Sequence, residues 1–449
     1  PPIGIRSYPW QEGRERTKSG RLVDNRLLIM LNSLIVSRMP SHKEFHDMAE
    51  PQVADALTKR IAQLNERIEW GMEMGYYFYL QPIEELNGAR VRIKGRGEML
   101  MFASYGYLDL LGHPKINAAA KAAIDRFGTG THGVRILAGT LTLHEQLEQT
   151  IARFKGAEDA VVFSSGYVTN LTTVATLVGR HDVVICDKLN HASIVDGCLL
   201  SGARFVRFRH NDMADLERAL RECPASGTKL VVVDAVFSMD GDIINLPKVS
   251  RLCQRYGALL MVDEAHSLGV LGKTGRGIEE HFGLEGVVDI KMGTLSKTIP
   301  SVGGYIAASR DIVTYLKHIS RAFVFSAALP PAQVAAAQAA FEVMEEEPWR
   351  LEQLHRNIAY FLNGLHARGF DTLNSQTAIV PIVCGTDERT LAMAKYCQDH
   401  GIFIQPILPP AVPVGTSRLR ANVTSAHSLE DIDYALNVFE AAGRELGII

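Results

Sequence analysis

At 449 residues the chain is too long for one small core, and 47% apolar with 22% charged residues is ordinary globular composition, which excludes a disordered or fibrous chain. A net charge of −3 leaves no basic footprint and argues against a nucleic-acid partner. No apolar run approaches the roughly 20 residues that cross a bilayer, and the first residues carry no signal-peptide pattern, so no membrane span is expected.

In chain order, residues 1 to about 50 mix charges with Pro, Gly and Ser without strong periodicity and read as a linker or arm. Their most apolar stretch, 27–36, is broken by Asn32 and Ser33. The chain begins at Pro1 without Met, as expected of a piece of something longer. Ala54, Leu57, Ile61, Leu64 and Ile68 recur at three or four residues and predict a helix over 54–74. A partly extended segment follows, to Ile93. From about 100 to 330, short apolar runs at 160–163, 183–186, 204–208, 230–234, 259–262, 289–293 and 304–308 alternate with helical stretches. Such runs predict a buried, mostly parallel sheet of seven strands in one large α/β domain. Beyond 331 helices dominate, with strand-like pieces at 378–383 and 418–424, so a smaller α+β domain closes the chain. The expected division is an N-terminal arm and helix over 1–75, a large domain over 76–330 and a small domain over 331–449. Six scattered cysteines without a C-x-x-C pair predict buried free thiols, no metal, and a reducing cytoplasm.

Four strand-end segments carry chemistry. At 163–167, Phe-Ser-Ser-Gly-Tyr runs from a strand through small residues into a helix, where the N–H groups around Ser165, Gly166 and Tyr167 suit a phosphate. His191 follows the strand at 183–186, in Leu-Asn-His-Ala-Ser. Asp263 and His266 end the strand at 259–262, and a carboxylate there can keep a pyridinium nitrogen protonated. Gly293-Thr-Leu-Ser-Lys297 ends another strand; a buried lysine forms an imine with an aldehyde, and the hydroxyls of Thr294 and Ser296 suit a phosphate. Each segment alone is as readily a turn or a cap. All four on the C-terminal edge of one sheet, where open α/β sheets bind ligands, describe a site for pyridoxal 5'-phosphate (PLP) held on Lys297. Gly128-x-Gly130-x-x-Gly133, with Glu148 twenty residues after Gly128, mimics a dinucleotide fingerprint but follows a predicted helix (116–127), and Glu148 falls in another (144–154), so it is set aside.

The segments FSSGYVTN at 163–170, DKLNHASIVDG at 187–197, VFSMDGD at 236–242, VDEAHSLGVLG at 262–272, GTLSK at 293–297, FSAALPP at 325–331 and RLRANVTSAH at 418–427 resemble, in this order, the α-oxoamine synthases, which are fold-type I PLP enzymes. The resemblance runs from about residue 76 to 449. It implies a homodimer with its site at the subunit interface, and a decarboxylative Claisen-type condensation of an amino acid with an acyl thioester, giving an α-aminoketone and carbon dioxide. It also implies roles: Lys297 as Schiff-base lysine and α-proton carrier, Asp263 at the ring nitrogen, His266 at the ring oxygen and His191 stacked on the ring. Gly166, Tyr167 and Thr294 would hold the phosphate, Ser326 would reach it from the other subunit, and Arg420 would grip the amino acid's carboxylate.

Departures leave the substrates open. Family members commonly carry Asn-Asp-Tyr-Leu-Gly where this chain has Tyr105-Gly106-Tyr107-Leu108-Asp109, Ala and Gly where Thr298-Ile299-Pro300 follows Lys297, and a second hydroxyl at Ala327. Tyr105 is thus a candidate substrate contact. The arm also resembles the setting of condensing domains in polyketide-type assembly lines of the saxitoxin and prodigiosin kind, so both acyl-CoA and an acyl carrier protein stand as donors. The alternatives are another fold-type I reaction (aldol cleavage or transamination) or a non-catalytic carrier-docking domain.

Overall fold

The computed structural model describes residues 50–449 apart from Ala225, with side chains from residue 55; the arm over 1–49, with its stretch at 27–36, lies outside the described residues. The chain divides into two units, 1–64 and 65–449. Helix α1 (Glu50–Glu73) occupies the predicted position, and Leu57, Ile61 and Leu64 on its apolar stripe are exposed.

Next come β1 (Ile83–Asn87), β2 (Arg90–Ile93) and β3 (Gly97–Met101), an antiparallel meander. Helices α2 (Pro114–Phe127) and α3 (Thr142–Lys155) lead into the alternating region. It comprises β4 (Asp159–Phe163), α4 (Gly166–Leu177), β5 (Val183–Asp187), α5 (Ala192–Ser201), β6 (Arg204–Phe208), α6 (Met213–Arg221), β7 (Lys229–Asp234), α7 (Leu246–Tyr256), β8 (Leu259–Asp263), α8 (Ile278–Phe282), β9 (Ile290–Thr294) and β10 (Gly304–Ala308). Helices α9 (Arg310–Ile319), α10 (Arg321–Val324), α11 (Pro331–Glu346) and α12 (Trp349–Ala367) follow. The C-terminal part holds β11 (Ile379–Gly385), α13 (Asp387–Asp399), β12 (Ile402–Phe403), β13 (Pro406–Ile407), β14 (Ser417–Asn422) and α14 (Leu429–Glu445).

All seven predicted strands form one sheet in the order β4-β10-β9-β8-β7-β5-β6. It is parallel except at β10, which runs antiparallel to both β4 and β9. The strands read as unbroken apolar runs because both faces are covered: Val161, Val184, Val232, Met261, Ile290 and Ile306 lie in one buried cluster with residues of α4, α5 and α9. Chain polarity therefore brings Phe163, Asp187, Asp234, Asp263 and Thr294 to the same edge. In register, Asp234 stands opposite Asp263, and Gly304 lies between Phe163 and Thr294. The short β12 adds in parallel to β3, so 83–101 shares its sheet with the C-terminal part, where β11, β14 and β13 form a third sheet. No helix among the described residues is long and apolar enough to cross a membrane.

Candidate active site

A cavity of about 260 Å³ opens at that strand edge, lined among others by Gly166, His191, Asp234, Asp263, His266 and Lys297. Its first wall is the start of α4. Ser165 caps the helix, its Oγ accepting from Val168 N at 3.2 Å. The first N–H groups of any helix have no intrahelical acceptor and attract an anion. Gly166 is required by packing: a Cβ there would lie 2.8 Å from Thr294 Oγ1. Thr294 Oγ1 and Ser296 Oγ are 2.8 Å apart, so hydroxyls and backbone amides converge on one corner of the cavity.

Lys297 lies in the loop after β9. Burial lowers its amine to about 8, against the opposing pull of the Asp263 and Asp234 charges; at neutral pH a usable fraction is therefore the nucleophilic free amine. Its Nζ is 2.8 Å from His266 Nε2, and His266 Nδ1 is 2.8 Å from the Tyr107 hydroxyl. Burial, then the Lys297 charge, push His266 well below its ordinary range, while burial pushes Tyr107 up. His266 is thus neutral and Tyr107 a protonated phenol. While the lysine is an ammonium, Nε2 accepts from it and Nδ1–H donates to the Tyr107 oxygen; once the amine is no longer a donor, Tyr107 can donate to Nδ1 and the ring proton sits on Nε2.

Asp263 is 5% exposed. One carboxylate oxygen accepts from Asn170 Nδ2 at 2.6 Å and the other from Ala265 N at 2.8 Å. Beside it, Asp234 accepts from His191 N at 2.8 Å, and burial followed by the Asp263 charge holds its carboxyl well above the usual range. His191 caps α5, its Nδ1 2.7 Å from Ser193 Oγ, and burial lowers its pKa.

Arg420, on β14, is 8% exposed, with Nη1 donating to Ser238 O at 3.0 Å and Nη2 to the Tyr105 hydroxyl. Its guanidinium carbon lies 4.9 Å from the centre of the Tyr105 ring, and Lys297 Nζ is 5.5 Å from the same ring. Among the described residues no carboxylate pairs with Arg420, an unusual state for a buried guanidinium. Ser326 is half-buried and lines neither this cavity nor a second one of about 520 Å³, whose wall includes Tyr105, Ser296 and Lys297. A further cavity of about 580 Å³ around Val270, His281 and His355 contains none of these groups.

Three residues of the site escaped the sequence reading: Asn170, Asp234 and Tyr107. Asn170 lies one turn beyond Gly166 on a buried helix face that also carries Thr169, Thr172 and Thr173, so its polarity alone was a weak signal. Asp234 had the same strand-end position as Asp263. The set-aside glycine pattern follows α2, and Glu148 is buried against Arg135 at 2.8 Å.

The residues fit PLP. An anion-binding corner, an imine-forming amine and a buried carboxylate line one cavity. Asp234 and Asp263 flank the cavity beside Lys297, and a protonated pyridine nitrogen would give the Asp263 carboxylate a charged partner. Asn170 Oδ1, buried beside Asp263, has no partner.

The family model for aminotransferase class I and II matches residues 97–439. An 8-amino-7-oxononanoate synthase of Geobacter sulfurreducens is 46% identical over 84% of this chain and 97% of its own length. One from Thermoanaerobacter pseudethanolicus is 43% identical over 86% and 98%. A variant of serine palmitoyltransferase from S. paucimobilis, solved with a bound PLP–myriocin aldimine, superposes with a TM-score of 0.84 at 35% identity, covering 88% of this chain and 100% of that one. The chain belongs to the aminotransferase class I and II family and, within it, to the α-oxoamine synthases, PLP-dependent acyltransferases that join an amino acid to an acyl thioester with loss of carbon dioxide.

Proposed function

We propose that Lys297, Asp263, His266, His191 and Arg420 carry this condensation, in a homodimer, on a small α-amino acid and a donor presented on a pantetheine arm. The observation that carries the assignment is the Lys297 amine, lowered to about 8 within 2.8 Å of a neutral His266. Bound PLP supplies an aldehyde for that amine and an electron sink for the charge left at the amino acid's α-carbon. With PLP bound, the Lys297 amine would be a base of suitable strength to take the substrate's α-proton at Nζ and return it later. His266, with its proton held on Nε2 by Tyr107, donates to an oxygen beside the amine. Asp263, fixed by Asn170 and Ala265, keeps a proton on the ring nitrogen. Gly166, Tyr167, Ser165, Thr294 and Ser296 present amides and hydroxyls to the phosphate. Ser326 would serve the neighbouring subunit's phosphate, since on its own chain it stands away from both cavities. Arg420, held by Ser238 and Tyr105 and free of an anion, accepts the amino acid's carboxylate through a planar fork.

The test is carbon dioxide release from an amino acid by the PLP-loaded protein. Release that depends on added acyl thioester supports the proposal; turnover with an α-keto acid and no thioester overturns it in favour of transamination.

Two outcomes follow from the site. Arg420→Lys should raise KM for the amino acid by about 10- to 100-fold, because an ammonium cannot make the paired contact; steady-state kinetics with the amino acid varied reads this directly. Uptake of PLP by the apoprotein, followed by absorbance, should speed up as pH rises through about 8. The sign follows from protonation: below that value the amine is charged and cannot attack the aldehyde, above it the amine is free. A rate flat across the midpoint would count against Lys297 as the group attached.

A further inference from the structure

The second cavity, of about 520 Å³, shares Lys297 with the first and extends under the β1–β3 meander, where Ile83, Leu86, Val91, Met101, Leu111 and Phe403 form an apolar wall facing uncharged polar groups of Ser104, Thr298, Ser301, Gln333 and Thr424. Strand alternation keeps charge out of it. Val91 and Ile93 turn inward, while Arg90 pairs with Asp431 at 2.6 Å and Arg92 with Glu85 at 3.0 Å on the outer face. The charged groups in its wall are Lys297, whose amine is engaged at the cofactor site, and Asp109.

The φ of Asp109 is +52°, in the left-handed region that favours glycine. A carboxylate kept at such a position puts a negative charge on the cavity wall. Arg350 comes within 3.7 Å of that carboxylate but lies 2.6 Å from Glu347, so one guanidinium is shared by two acids. His113, 3.2 Å from Glu347, adds a charge only when protonated. With His113 neutral the corner is net negative.

We propose that this cavity receives the acyl chain of the thioester donor, that the chain it selects ends in an apolar group, and that Asp109 is the residue that discriminates against a chain ending in a carboxylate. The proposal rests on the acyl-thioester reading above. It separates this chain from the relatives whose name denotes an oxononanoate, an acid: a second anion in this cavity would meet Asp109 and no uncommitted cation. Repulsion of the wrong ligand is an effective source of specificity.

The experiment measures binding of two unreactive thioethers, S-heptylpantetheine and S-(6-carboxyhexyl)pantetheine, to the PLP-loaded protein by calorimetry. The heptyl compound should bind about tenfold tighter or better, a difference of about 1.4 kcal/mol. Asp109→Asn and Asp109→Gly should each narrow that ratio by about threefold or more, through tighter binding of the carboxylate. Glycine suits φ +52° and guards against a folding defect in the first variant. Equal binding, preference for the carboxylate, or binding of neither compound by the unaltered protein overturns the proposal, as does a ratio unchanged in both variants. Carbon dioxide assays with heptanoyl and heptanedioyl thioesters separate the two levels. Release with the heptanedioyl donor alone leaves the condensation standing and removes this proposal; release with neither counts against the condensation, while the binding ratios still decide the role of Asp109.

Discussion

Replacing Lys297 by Ala should lower thioester-dependent carbon dioxide release by about 10²- to 10⁴-fold, the range expected when a positioned proton-transfer group is removed. Lys297 carries the one amine in the wall of the smaller cavity. The buried lysines of the described residues are committed elsewhere: Lys155 pairs with Glu264 at 2.8 Å and Lys291 with Glu279 at 2.7 Å, all four buried. None can swing into the vacated place without leaving a buried carboxylate unpaired, which is a large cost. PLP itself should stay bound, through the α4 amides, the hydroxyls of Thr294 and Ser296, and Asp263. Borohydride treatment followed by mass spectrometry reads the two effects separately, since the cofactor should become fixed to the native chain and not to the variant. Lys297→Arg is a useful companion because it keeps the charge but supplies no nucleophile, and it should fail equally. A Lys297→Ala rate within about tenfold of the native one would show that another group moves the proton.

The large sheet was legible because each of its strands is an unbroken apolar run, a pattern that survives without knowledge of neighbours. Boundaries moved by a residue where a polar side chain ends the run: β5, β8 and β9 extend to Asp187, Asp263 and Thr294. Lys297, His266, Asp263 and His191 could be found since each directly follows such a run. Asn170 and Tyr107 could not be placed on that logic. Asn170 meets Asp263 across 93 positions of sequence, and Tyr107 meets His266 across 159, so their roles exist only once the chain is folded. The two-residue β12 was unreadable for a related reason: Ile402–Phe403 has too little length for a periodic signal, and pairing with β3 creates it. At Asp109 the sequence displayed a departure, but its meaning required φ and the cavity wall. The cysteines behaved as expected of apolar filler: Cys186, Cys198, Cys253, Cys384 and Cys397 are buried and unpaired, and Cys223 is half-buried.

Asp263→Asn should lower turnover by about 10²- to 10³-fold, the usual effect of removing one preorganised electrostatic partner of the reacting charge, with PLP still bound. The geometry makes this a test of charge and not of folding. The replacement amide keeps one oxygen for Ala265 N, and its NH2 group faces Asn170, whose buried Oδ1 has no partner. A flip of the Asn170 side chain therefore satisfies the new donor, and Ser193 Oγ, now bonded by Asn170 Nδ2 at 3.0 Å, can turn its hydroxyl to suit. Asp234 sets the floor of the effect. Its carboxyl is held high by burial and then by the Asp263 charge, so loss of that charge lowers its pKa and favours an ionised Asp234 one strand away. Residual activity in Asp263→Asn should accordingly fall again when Asp234→Asn is added, and should fall at low pH in the single variant as Asp234 protonates. Steady-state rates of the single and double variants at saturating PLP decide the matter. A single variant with a near-native rate and bound cofactor would remove Asp263 as the group that keeps the ring protonated.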